Sequence, residues 1–122
     1  MIDHVSLQVA DVAASRAFYE AVLGPLGLTP VDVGAAVGFT DGASFPFWIS
    51  PAQRAAEREL HLAFAAPHRH AVDDFCRAAA SIGAEILHEP RVFPEYDAHY
   101  YGCFVRDLDG HNIEAVCRRP GG

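Results

Sequence analysis

The feature that most constrains this chain is that it repeats itself. "IDHVSLQV" (2–9) and "LHLAFAA" (60–66) both alternate apolar and polar residues, the period of a strand with one face on a core. Each is followed by a segment of helical periodicity. Asp11 can cap "VAASRAFYEAVLGPLG", with Phe18, Tyr19, Val22, Leu23 and Leu26 on one face. The second segment, "HRHAVDDFCRAAASIG" (68–83), places Val72, Phe75, Cys76, Ala79 and Ile82 together. Three short strand candidates then close each half: "LTPVDV" (28–33), "AAVGFT" (35–40) and "SFPFWI" (44–49), and later "AEILHE" (84–89), "YYGCFVR" (100–106) and "HNIEAVC" (111–117). Asp41-Gly42 and Asp109-Gly110 read as hairpin turns. His4 and His61 are 57 positions apart, as are Phe18 and Phe75, while the two Asp-Gly turns are 68 apart. The second half thus carries about eleven extra residues, assigned to "PRVFPEYDAH" (90–99), which is too Pro-rich for a strand and reads as a loop over one end.

This duplication predicts an α+β fold of tandem βαβββ modules, with a mixed curved sheet around a cleft and the helices on the outside. The boundaries are module 1 at 1–50, a linker at 51–59, module 2 at 60–117 and a tail at 118–122, within a single domain. Pro46 cannot donate to a ladder, so its strand is expected at an edge or bulged there. "HRH" (68–70) opens a helix where cations oppose the dipole and reads as solvated surface, whereas Asp73 and Asp74 suit that end.

Bulk properties remove several function classes. Just over half the residues are apolar, which suits a folded domain. Sixteen acidic residues against nine basic give a net charge of −7 with no basic stripe, so no nucleic-acid partner is expected. The opening "MIDHVSLQV" lacks a positively charged leader, and no apolar run has the length of a membrane span. Cys76, Cys103 and Cys117 have no C-x-x-C spacing and read as free thiols used as small apolar residues. A cytoplasmic location with no membrane partner is expected. G-x-S-x-G, phosphate-binding and dinucleotide fingerprints are absent from the sequence.

The residue that needs explaining is Glu114. In "HNIEAVC" it shares a face with Asn112 and Val116, opposite Ile113, Ala115 and Cys117. A carboxylate there is solvated, or it is buried with a partner. His4 and His61 open equivalent strands, each facing away from the large apolar side chains. If the halves pair about a pseudo-twofold, two imidazoles and one carboxylate can face a shared cavity. Such a facial set holds a divalent metal with positions left open, and it suits Fe, Mn, Ni, Co or Zn without choosing among them. The competing reading is a relic geometry with no metal bound. Ser6 and Gln8 share the His4 face, and Phe47, Trp48, Tyr96, His99 and Tyr101 are candidate substrate-binding residues. Phe45, Phe47 and Trp48 also suit core or dimer contact, and parity alone does not say which of Tyr96, His99, Tyr100 and Tyr101 enter the cleft. No general base can be named.

"DHVSLQV", "DVAASRAFYEAVLGPLGL", "HLAFAA" and "GCFVRDLDGHNIEAV" together resemble the vicinal oxygen chelate superfamily, which includes glyoxalase I, bleomycin-resistance proteins, fosfomycin-resistance enzymes and extradiol dioxygenases. The likeness covers nearly the whole chain, and "RDLDGHNIEAV" is its most specific part. It implies metal ligands on the first strand of each module and on the last strands, where His4, His61 and Glu114 stand. It implies a small-molecule substrate and a homodimer. A glyoxalase I would carry a fourth ligand on the last strand of module 1. Counted from the Asp-Gly turns, Glu114 maps onto Pro46, beside Phe45, Phe47 and Trp48, none of which binds metal. The expected function is a metal-dependent lyase, dioxygenase or transferase that chelates an oxygen-bearing substrate, and not a typical glyoxalase I. The alternative is a metal-free protein of bleomycin-resistance type that sequesters a small aromatic or cationic ligand.

Overall fold

A computed structural model of the chain describes residues 1–54 and 59–121. The elements follow the duplicated order. Module 1 holds β1 (Val5–Val9), α1 (Val12–Leu23), β2 (Thr29–Val33), β3 (Ala36–Thr40) and β4 (Phe47–Pro51). Module 2 holds β5 (His61–Ala65), α2 (Arg69–Ser81), β6 (Ile86–Val92), β7 (Tyr101–Arg106) and β8 (Asn112–Cys117). Each module makes its own four-stranded mixed sheet, in the orders β1-β4-β3-β2 and β5-β8-β7-β6. β1 and β5 therefore stand at equivalent sheet edges, each paired in parallel with the last strand of its module.

The helices start where side chains can satisfy their first amides. Asp11 accepts from Ala14 N at 3.0 Å, and His68 does the same for Ala71 N at 3.1 Å. His68 is thus a cap, a role its place in "HRH" did not suggest. A 3₁₀ turn, Gly24–Leu26, ends the first helix, and Gly27 closes it at φ 91°, a conformation glycine adopts without cost. The helices pack against each other and against one side of the sheets. The core is shared: Tyr19, Val22, Phe39, Phe47 and Ile49 of module 1 join Val72, Phe75, Val105, Ile113 and Ala115 of module 2 in one buried cluster. Cys76, Cys103 and Cys117 are buried free thiols.

Two strands differ from the sequence reading. β4 starts at Phe47, and it lies inside its sheet, so Pro46 is neither on an edge strand nor at a bulge. Residues 41–46 form a loop instead, with Asp41 Oδ1 accepting from Ala43 N and Ser44 N at 2.9 and 2.8 Å. Conversely, β6 runs through Pro90 to Val92, so only the later part of 90–99 is loop. β6 is an edge strand with register shifts around Pro90, where a missing N–H costs no ladder bond. Pro51 ends β4, so it leaves the expected 51–59 linker, of which residues 55–58 lie outside the described residues, as does Gly122 of the tail.

"RDLDGH" turns out to be a clamp between modules. Buried Asp107 accepts from the Tyr19 hydroxyl at 2.5 Å and from the amides of Asp109 and His111 at 3.0 and 2.8 Å. Asp109 accepts from Ala10 N at 3.1 Å, and His111 Nδ1 from Leu60 N at 2.9 Å. Burial, then the negative Asp107, push the Tyr19 hydroxyl far above its ordinary range, so it stays a donor.

Candidate functional site

Glu114 is 1% exposed, so its strand face is not wet. β8 is flanked by β5 and β7, with Ala63 and Phe104 directly opposite Glu114. Two side chains meet its carboxylate. Tyr100 donates its hydroxyl to Oε2, and His61 Nε2 stands 3.0 Å from Oε1. Gly102 makes room for this contact, because a Cβ there would sit 3.2 Å from Oε2 and 3.4 Å from the Tyr100 ring. Burial raises the Glu114 carboxyl above its ordinary value, although Tyr100, then His61, pull the other way. Tyr100 is raised too, by burial and then by its bond to Glu114, and it keeps its proton.

The tautomer of His61 follows from its other nitrogen. Nδ1 lies 3.2 Å from the carbonyl oxygen of Asn112, which can only accept, so Nδ1 carries a proton. In the neutral ring, Nε2 then points a lone pair at Oε1. Two acceptors facing each other at 3.0 Å need a positive charge or a proton between them. An imidazolium, a protonated Glu114 or a cation bound by both groups would each supply it. An imidazole held by a carbonyl through one nitrogen, with the other free beside a carboxylate, fits a divalent metal's donor set.

Aromatic rings wall this centre. His61 stacks on Phe104, with centroids 5.9 Å apart, and His88 meets Phe104 edge-on at 5.3 Å. Phe93, Tyr100, Phe104 and Val116 form a second apolar cluster, separate from the main core, on this face of the sheet. Tyr96 stacks on Phe93 at the rim and is 62% exposed.

The structure thus brings His61 and Glu114 together, with Tyr96 near them through Tyr100 and Phe93. His4 does not join them within one chain. It is exposed just before β1, with Nδ1 2.8 Å from its neighbour Asp3. Among the described residues no group of three or more His, Cys, Asp or Glu side chains is placed to hold a metal. Ser6 and Gln8 are exposed on β1, and Trp48 stands opposite Ser6 in the same sheet, stacked on Phe45. Phe47 points the other way, into the core against Tyr19, Phe39 and Phe64. Tyr101 also leaves the face, donating to Asp73 of α2 at 2.6 Å, and His99 is exposed in the loop.

Strand pairing corrects the alignment of the two halves. Ser6 faces Trp48 and Trp48 faces Gly38, as Ala63 faces Glu114 and Glu114 faces Phe104. The counterpart of Glu114 is therefore Trp48, not Pro46, and the counterpart of Asp107 is Asp41. The last hairpins are offset by 66 residues, not 68. The sequence reading matched the Asp-Gly pairs, whereas the aspartates that hold equivalent turns are Asp41 and Asp107. Module 1 still offers no ligand at the position of Glu114.

Tyr100 and Phe104 were missed as site residues. Phe104 was within reach of parity once the β7–β8 hairpin register was fixed, since it faces Glu114, and Tyr100, immediately before β7, continues the same even-numbered face. Phe93 gave no such signal, because a residue just past the end of β6 has no period to follow.

The family model of the Glyoxalase/Bleomycin resistance protein/Dioxygenase superfamily matches residues 1–115. A glyoxalase/bleomycin resistance protein from Albidiferax ferrireducens is 28% identical, with a TM-score of 0.80 over 97% of this chain and 98% of that one. Lactoylglutathione lyase from Agrobacterium tumefaciens is 23% identical, with a TM-score of 0.72 over 96% of this chain and 92% of its own. A fosfomycin resistance protein from Mesorhizobium loti is 19% identical, with a TM-score of 0.71 over 96% and 91%. The last two share the fold. No curated protein matches the chain in sequence.

Proposed function

The chain belongs to the Glyoxalase/Bleomycin resistance protein/Dioxygenase superfamily, and from that premise we propose that it is a small-molecule enzyme using a divalent metal ion. His61 and Glu114 of one chain would hold the ion, with His4 of the partner subunit as the third donor. The observation that carries this reading is the 3.0 Å approach of His61 Nε2 to a buried carboxylate oxygen while Nδ1 is committed to Asn112. The position of His4 supports the homodimer in this reading. It precedes an edge strand, as His61 opens the equivalent edge strand, and it is exposed for a second copy to use. A twofold pair that laid β1 of one chain beside β5 of the other would bring the three donors toward one another.

When bound, such an ion supplies Lewis-acid stabilisation to adjacent oxygens of a substrate as negative charge develops on them. The chain's own residues prepare that place. Tyr100 occupies Oε2, so Glu114 presents Oε1 alone. The Asn112 carbonyl fixes the His61 ring and aims Nε2. Phe104, Phe93 and Val116 keep water from the carboxylate and strengthen its interactions. Trp48 in place of a second acid separates this site from that of a glyoxalase I.

One observation favours a second reading. The aromatic wall above a buried carboxylate suits a small aromatic or cationic ligand, taken up without metal. Metal analysis of chelator-free protein separates the two. Stoichiometric metal in the wild type, lost in His61→Ala, Glu114→Ala and His4→Ala, is the expected result. Mixing the His4→Ala and Glu114→Ala chains should restore binding, since a mixed dimer rebuilds one complete site. Wild-type protein that stays metal-free after incubation with Fe, Mn, Ni, Co and Zn would sink the enzyme reading and leave the binding one.

A further inference from the structure

A cavity of about 500 Å³ lies at the far end of the β5/β8 pair from His61. Its walls are Leu26, Ala65, Ala66, Pro67 and Val116, and its charged lining groups are Arg118 and Arg119. In a chain with net charge −7, two adjacent arginines facing an apolar hollow are unusual company. None of the carboxylates among the described residues lines it. Arg119 forms no ion pair among the described residues. Arg118 is shared between Asp97, at 3.4 Å, and the face of the Tyr100 ring, at 4.8 Å from its centroid. Both ends of the Arg118–Asp97 pair are well exposed, so the pair is weak and an incoming anion can exchange with it at small cost.

The cavity adjoins the proposed metal site through one shared side chain. Val116 lines it and also packs with Tyr100 and Phe104 beside Glu114. Val116 follows Glu114 by two residues on the same strand face, roughly 7 Å along β8. From the carboxylate outward, Glu114, the Tyr100 ring and the Arg118 guanidinium are joined by successive contacts.

We propose that this cavity is an anion subsite, in which Arg118 and Arg119 take the carboxylate of a small acid whose apolar body lies against Ala65, Pro67 and Val116. Guanidinium groups match a carboxylate with paired, charge-assisted hydrogen bonds, and the apolar walls favour a ligand with a hydrocarbon body over a bare ion. The inference rests on the proposed function only in making that acid the substrate, its reactive oxygens reaching back toward Glu114. The specificity it assigns is for organic acids over their neutral analogues.

The test uses metal-free, full-length protein and two probes of matched shape, 4-phenylbutanoate and 4-phenylbutanamide. Calorimetry should show the acid binding at least about tenfold tighter than the amide. In NMR spectra, acid-induced shifts should centre on the amides of Ala65, Ala66 and Val116. The Arg118→Ala/Arg119→Ala double variant should lose the acid's advantage while binding the amide as wild type does, which also shows that it is folded. Equal affinity for acid and amide, an unchanged preference in the double variant, shifts confined to other regions, or inorganic phosphate binding as well as the acid would each overturn the proposal. Failure of metal binding with the acid preference intact would refute the metal site alone. Metal binding without that preference would refute the anion subsite alone.

Discussion

The two modules have the same strand order, the same pairing and opposite uses for their outer sheet faces. In module 1 the position opposite Ser6 is Trp48, whose ring lies on Phe45 and over Gly38. A Cβ on Gly38 would come within 2.8 Å of both rings, so the face is closed by its own aromatic stack. In module 2 the position opposite Ala63 is Glu114, and Gly102 clears space for Tyr100 to reach it. The inner faces did not diverge in this way. Phe39, Phe47 and Ile49 and their counterparts Val105, Ile113 and Ala115 all remain apolar in one core. Burial constrains the inner face of each copy, and a duplicated fold is free to place chemistry on one outer face only.

The sharpest way to break this comparison is to ask whether the modules are separable. Phe47 is 1% exposed and touches Phe64 of the other module. Phe47→Ala should cost about 3–5 kcal/mol, the range for losing a buried aromatic ring. Urea unfolding followed by Trp48 fluorescence in module 1 and by Tyr101 NMR signals in module 2 should remain one coincident transition. Two separated transitions would show that each module carries its own core.

The turn aspartates come next. Asp41 and Asp107 hold equivalent turns, but Asp107 is buried and also receives the Tyr19 hydroxyl, while Asp41 is exposed. Asp107→Ala strands buried donors and should destabilise by about 1–3 kcal/mol. Asp41→Ala should cost clearly less in the same chemical-denaturation assay. Equal effects would mean that the clamp between modules contributes nothing beyond its turn.

These two aspartates also show how far the sequence could be read. The order of elements was legible, because alternation and helical period are written residue by residue. So was the pairing of His61 with Glu114 as partners, since both fall on the face away from the core. The alignment of the hairpins was not, because Asp-Gly at 41–42 and 109–110 is a strong turn signal that occupies different places in the two turns. β6 through Pro90 was hidden because an edge strand tolerates what an inner strand does not. Tyr100 could have been selected from Gly102 and Phe104 by parity. Arg118 could not, because its place depends on a ring that only the folded loop 93–100 brings to it.

A smaller effect tests why the outer faces differ. Gly38→Ala must push the Phe45 and Trp48 rings aside and should cost toward the lower end of about 1–3 kcal/mol, with a red shift in tryptophan emission as the indole meets water. Gly102→Ala meets its nearest atom at 3.2 Å and should leave emission unchanged. The reverse outcome would mean that Trp48 does not depend on the glycine beneath it.

The smallest effect is the most specific to Glu114. Its folded carboxyl titrates above the ordinary 4.5, because burial penalises the charged form. For an acid raised in this way the favourable contribution is complete below 4.5 and is lost as pH rises through the folded value. In chelator-treated protein, wild type should therefore fall in stability relative to Glu114→Gln as pH is raised above 4.5. The measurement is the difference in Tm between the two proteins across that range. A difference that stays flat, or that favours wild type as pH rises, would show that Tyr100 and His61 already offset the burial. A divalent ion should reverse the trend in wild type but not in Glu114→Gln, because the ion stabilises the same charged oxygen that burial disfavours. Trp48→Gln, which leaves His61 and Glu114 in place in the other sheet, should keep the reversal seen in wild type.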